Sequence, residues 1–193
     1  AADTYSYLGP AGTFTEAALR QVPEAAGKTW RSVNNVGEAL DDVDPLALAG
    51  PATRAVVDLT NTWGDEPVPA WLDDDAAPGT TRIAERWAAA GLRVPVVRAF
   101  SEISHHDLGD AGRATAPRRA LAVGTEPADA TADPAAVAAA RDTVIALVTA
   151  MGFDAVPYTG LDRAGVLEPG AAGFGTAHDA GRLAALLADA PTG

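Results

Sequence analysis

Cysteine is absent from the chain, which excludes disulfide bonds, thiolate metal ligands and a cysteine nucleophile. None of the three histidines stands at H-x-x-x-H spacing with another, so no zinc signature is present and no metal is expected. No apolar run reaches the length needed to cross a bilayer, and the opening Ala1-Ala2-Asp3-Thr4 lacks both the basic end and the apolar stretch of a secretion signal. A bacterial cytoplasm is therefore the expected location. Positive charge is scarce: 14 basic residues, Lys28 the only lysine among them, face 26 acidic ones, for a net charge of -12. Such a surface repels nucleic-acid phosphates and anionic lipid, and no basic patch offsets it. Nucleic acid and membrane are thus excluded as partners, and a small-molecule ligand is expected.

What is present suits one folded domain spanning residues 1–193, since 48% of the residues are hydrophobic. Strand-like runs recur at Tyr5 to Leu8, Thr29 to Val33, Arg54 to Leu59, Arg93 to Phe100, Arg119 to Val123 and Asp154 to Tyr158. Helical patterns fall at Thr13 to Val22, Val36 to Val43, Thr80 to Ala90, Pro134 to Met151 and Ala177 to Ala190. This alternation predicts an α/β fold with a mostly parallel sheet. In the fourth helix Val137, Val144, Ile145 and Val148 share one face, Asp133 can cap the start and Gly152 can close the end. The stretches Trp63 to Gly79 and Ser101 to Arg118 are rich in Pro, Gly, Asp and Ala and read as long excursions from strand ends, where function tends to sit. The last helix carries Leu183, Leu186 and Leu187, which serve a core or a homodimer equally well.

The run Tyr7 to Leu19 brings a strand to a glycine turn and then to a helix, with Thr13 and Glu16 in T-x-x-E capping spacing. The amides of Gly12 to Thr15 then offer a place for a small anion, or simply a structural turn. Tyr7 through Phe14 resembles the opening motif of prephenate dehydratases, Y-L-G-P-x-G-T-F-[ST], and the likeness covers residues 5–20. The later E-N-S and T-R-F motifs of that family are absent, so a complete dehydratase is not present.

From about residue 46 onward the chain resembles the C-terminal part of the dinucleotide-binding domain of NADP oxidoreductases that use the deazaflavin coenzyme F420. Four motifs carry the resemblance in order: Val56-Val57-Asp58-Leu59-Thr60-Asn61, Val94 to Phe100, Met151 to Val156, and Val166-Leu167-Glu168-Pro169. It implies a three-layer Rossmann-like α/β fold, NADP as cofactor with coenzyme F420 as a second flat ring, and hydride transfer between them. The first 45 residues are short for the usual opening strands and helices, which leaves open that one strand–helix unit is missing and that an evolutionary seam lies near residue 45.

A nicotinamide dinucleotide needs G-x-G-x-x-G in the first turn, where the second glycine admits the pyrophosphate and the third lets helix and strand touch. Here Gly9 and Gly12 are present, but Ala11 and Phe14 stand at the second and third glycine positions. Arg31 and Ser32 end the second strand, about twenty residues on, where a ribose or its 2′-phosphate would be read; a solvated charge is the competing reading. Thr60 and Asn61 end an apolar strand, and Phe100 and Ser101 end the next. In a parallel sheet both tips open onto the ligand crevice. The reductase resemblance places the Thr60-Asn61 pair beside the nicotinamide, with Phe100 as an apolar wall; a turn-capping Asn and a core Phe are the alternatives. Glu168 precedes Pro169 and either anchors a backbone amide near the crevice, as the reductase resemblance implies, or belongs to a structural turn that the proline fixes. The cofactor-binding candidates are thus Gly9, Gly12, Thr13, Arg31, Ser32, Thr60, Asn61, Phe100 and Ser101, and no catalytic residue stands out. Two other readings remain: a degenerate, non-catalytic binding module, and a dehydratase-like binder of prephenate-like anions.

Overall fold

A computed structural model of the chain describes residues 4–8, 11–12, 14–33, 38, 46, 49, 52–61, 63, 68–72, 77–127 and 133–191. The strands are β1 (Thr4–Leu8), β2 (Thr29–Val33), β3 (Val56–Asp58), β4 (Val96–Ala99), β5 (Ala120–Thr125) and β6 (Asp154–Thr159). The helices are α1 (Phe14–Leu19), α2 (Gly79–Ala89), α3 (His105–Asp110), α4 (Pro134–Ala150) and α5 (Ala180–Ala188), with a 3-10 helix at Leu161–Leu167. All six strand-like runs form strands. The helix expected over residues 36–43, apart from Glu38, and the seam near residue 45 lie outside the described residues.

Strands β3, β4, β5 and β6 form one four-stranded sheet in that order, and β1 pairs with β2 in a separate parallel ribbon. Three of the four pairings are parallel, and β4 with β5 is antiparallel. The connection from β4 to β5 explains the exception. Its α3 has six residues and spans about 9 Å, so the chain turns back at the rim it left instead of crossing the sheet. Ser104 caps α3 by accepting from the Asp107 amide at 3.1 Å, so the excursion expected over residues 101–118 contains a short helix.

Alternation along the strands sorts side chains to two covered faces. Val97, Ala99, Leu121 and Val123 point to α4, where Ala140, Val144 and Val148 meet them. On the opposite face Ala120, Ala122, Val156 and Tyr158 pack on Ala164 and Leu167 of the 3-10 helix and on Leu183 and Leu187 of α5. Helices thus flank both faces of a mostly parallel sheet, a three-layer α/β arrangement of Rossmann-like type. The ends of α4 follow the sequence chemistry: Asp133 accepts from the Ala135 amide at 3.0 Å, and Gly152 closes the helix at φ +87°. A Cβ at Gly152 would sit 2.6 Å from the Arg113 amide nitrogen, so both torsion and space select glycine there. Leu183 and Leu187 pack in the core, and Leu186 is half-buried.

Candidate functional site

The cross-strand register places Asp58, Arg98, Gly124 and Tyr158 in one row across β3, β4, β5 and β6. A charged side chain in the middle of the apolar run Val94 to Phe100 is costly unless it is paired and hydrogen-bonded. Arg98 is 1% exposed and meets that condition. Its Nη1 donates to the Thr60 carbonyl at 3.1 Å and to the Asp58 carboxylate at 3.4 Å. Its Nη2 donates to Glu168 Oε1 at 2.9 Å and to Asn61 Oδ1 at 3.3 Å. Asn61 in turn donates from Nδ2 to the Ser101 carbonyl at 2.8 Å. Asp58 Oδ1 accepts from both the amide and the hydroxyl of Thr60, at 2.9 and 2.7 Å. One guanidinium therefore binds the tips of β3 and β4 to the segment after the 3-10 helix.

Thr60, Asn61 and Ser101 are brought together as the strand pattern anticipates. Phe100 sits at the same tip at φ +64°, a torsion that bulky residues rarely adopt, and its ring turns into the core with Val97, Leu121 and Val123. It packs inside the domain and offers no open wall. The aromatic surface at this rim comes from elsewhere: Trp63, 43% exposed, meets Phe174 edge-on with ring centroids 5.6 Å apart. Phe174 is held there because the next residue, Gly175, donates its amide to the Glu102 carbonyl at 2.9 Å. Nothing in the local sequence of residues 170–176 signals this aromatic partner, since the contact spans more than a hundred residues of chain.

Behind the rim lies a second buried acid. Glu102 is 2% exposed, its Oε1 accepts from the Ala122 amide at 2.6 Å, and burial pushes its carboxyl above the ordinary range against that hydrogen bond. Burial likewise raises the phenol of Tyr158, which stays neutral at any physiological pH. The raised Glu102 carboxyl means that the folded chain holds a proton which the unfolded chain releases near pH 4.5. Its contribution to stability is complete below that pH and is lost as pH rises through the folded value. Glu102→Gln is therefore expected to gain stability relative to the parent as pH climbs from 4 to 8, read by urea unfolding at each pH. A difference that stays flat over this range would show that the carboxyl titrates normally.

The first turn departs from a phosphate cradle in its contacts as well as in its glycine pattern. Gly12 takes φ +91°, as a tight turn needs, but its amide donates to the Glu16 carboxylate, which also pairs with Arg20. The Gly12 hydrogen bond, followed by Arg20, holds the Glu16 carboxyl below the ordinary range. The helix entrance thus carries its own anion. Gly9 and Thr13 lie outside the described residues. Arg31 and Ser32 are exposed on β2, which no strand pairing connects to the β3–β6 sheet. Adjacent His105 and His106 are exposed on α3 with ring centroids 3.9 Å apart, and His178 Nε2 lies 2.9 Å from the Ala172 carbonyl. Among the described residues, no group of three or more His, Asp or Glu is placed to hold a metal, and no helix is long and apolar enough to cross a membrane.

No protein-family model matches the chain, and no curated protein matches it. Solved structures do. A hypothetical protein, SMa0349 from Sinorhizobium meliloti, is 18% identical over 84% of this chain and 78% of its own, with a TM-score of 0.52, a likeness of fold. A protein from Arthrobacter sp. FB24, provisionally described as an F420-dependent NADP reductase, is 19% identical with a TM-score of 0.48. That match covers 70% of this chain and 58% of the Arthrobacter protein. Neither description extends to the dehydratase resemblance of residues 5–20.

Proposed function

We propose that the chain is an NAD(P)-binding, oxidoreductase-like domain that holds two flat rings at the joined tips of β3 and β4. The observation that carries this reading is the bond from Asn61 to the Ser101 carbonyl, which closes the two parallel carboxyl ends into one rim beside the exposed Trp63 ring and the half-buried Phe174. The ring end of a nicotinamide cofactor fits there. Trp63 offers an aromatic face, and the half-buried Thr60 and Asn61 border it with uncharged polar groups, the chemistry a carboxamide needs, while the buried Ser101 backs them through its carbonyl. When bound, NADPH would supply the hydride and coenzyme F420 or another flat acceptor would receive it. The chain itself supplies orientation and exclusion of water, both of which depend on a rim held rigid by Arg98. Arg31 and Ser32 on β2 are the residues suited to a ribose phosphate in this reading.

A second reading rests on Glu16. Its carboxylate occupies the Gly12 amide that a pyrophosphate would need, and it repels an anion at the turn. A domain with that turn sealed is a non-catalytic binding module that keeps the fold and the rim. Tryptophan fluorescence during titration with NADPH, NADH and prephenate separates the readings. The dinucleotide reading expects a saturable NADPH response that Trp63→Ala weakens by about tenfold, the loss of one ring contact. Silence with all three ligands sinks it in favour of the module, and a response to prephenate alone would restore the dehydratase resemblance of residues 5–20 as the guide.

A further inference from the structure

The sheet has a second opening at the other end of β4. A cavity of about 150 Å³ lies between α2, the amino end of β4 and α4, walled by Trp87, Leu92, Val96 and Val137. A volume of that size holds one six-membered ring, as apolar cavities of about 150 Å³ that bind benzene show. Two carboxylates, Glu85 and Glu126, line the same space. Glu85 is already paired with Arg82 at 2.8 Å. Glu126 follows the carboxyl end of β5, where parallel strand pairs present ligand sites. It faces negative neighbours: burial first, then the charges of Glu85 and Asp162, push its carboxyl above the ordinary range. Arg93, exposed, lines the rim of the same cavity. An apolar slot one ring wide with a partly desolvated carboxylate at its mouth complements a ring that bears a positive charge.

We propose that this cleft is a binding site for a small organic ammonium ion, its ring against Trp87 and Val137 and its ammonium group on Glu126. The site does not depend on the dinucleotide reading, because it uses none of the residues at the Thr60 and Ser101 rim. Isothermal titration calorimetry of the full chain with benzylamine tests it, with benzyl alcohol as the uncharged counterpart. Benzylamine is expected to saturate one site, to bind about tenfold more weakly to Glu126→Gln through loss of the charge-assisted bond, and to lose binding to Ala88→Leu, which fills the cleft from α2. Benzyl alcohol is expected to bind the parent and Glu126→Gln alike, and more weakly than benzylamine binds the parent. No benzylamine binding, equal affinity for amine and alcohol, or an unchanged affinity in Glu126→Gln would overturn the proposal. Should Glu126→Gln lose its far-ultraviolet circular dichroism, Glu126→Asp replaces it: a weaker benzylamine affinity supports the site, and an unchanged one overturns it.

Discussion

Thermal unfolding of Arg98→Met is expected to shift down by roughly 6–20 °C, the equivalent of a loss near 3–5 kcal/mol in a chain of this length. The loss does not come from the arginine's own packing, since methionine retains most of the apolar stem. It comes from what the guanidinium leaves behind. Asp58 is 4% exposed and would lose its cation, and Glu168, Asn61 and the Thr60 carbonyl would each lose a donor. Asp58→Asn and Glu168→Gln in the same chain are expected to recover part of the loss, because a buried pair removed whole costs less than one member removed alone. Differential scanning calorimetry of the parent, the single variant and the triple variant measures this directly. A shift of less than about 2 °C in Arg98→Met, on the same scale, would mean that the rim is held by its backbone alone. Lysine is not an adequate substitute, since a single ammonium cannot divide itself between Glu168 on one side and the Thr60 carbonyl on the other.

Gly124→Val is expected to cost about 3 kcal/mol by crowding. A Cβ at Gly124 would lie 2.2 Å from Tyr158 Cζ and 2.3 Å from its hydroxyl oxygen. The ring has nowhere to retreat, because Tyr158 is packed beneath Leu167, Leu183 and Leu187. Tyr158→Leu in the same chain should relieve the clash, so the double variant is expected to be more stable than the sum of the two single losses implies, a coupling of about 1–3 kcal/mol. Chemical denaturation of the four chains provides the cycle. Additive losses would show that Gly124 is required for its backbone rather than for the space it leaves to the phenol.

These two positions also mark where the sequence was readable and where it was not. Strands β3 to β6 could be seen because each lies in a short apolar run bounded by turn residues, and α4 because an aspartate precedes its apolar face and a glycine follows it. Helix α3 was hidden among Pro, Gly and Ala, although Ser104 and Asp107 stand at the spacing of an N-cap. Arg98 was passed over within the run Val94 to Phe100, although a charge inside an apolar strand by itself demands a partner. That the partner is Glu168, seventy residues away, was not visible, because local spacing holds no information about which loops fold back on one rim. The same holds for Glu102, whose burial follows from Gly175 and Ala122, and for Trp63 with Phe174. The convergence of Thr60, Asn61 and Ser101 was legible because strand tips are local objects and β3 and β4 are parallel neighbours.

The reversal between β4 and β5 carries a consequence for how such a domain can change over time. The parallel pairs β3–β4 and β5–β6 present their carboxyl ends at opposite poles, so a substitution at one set of strand tips leaves the geometry of the other set untouched.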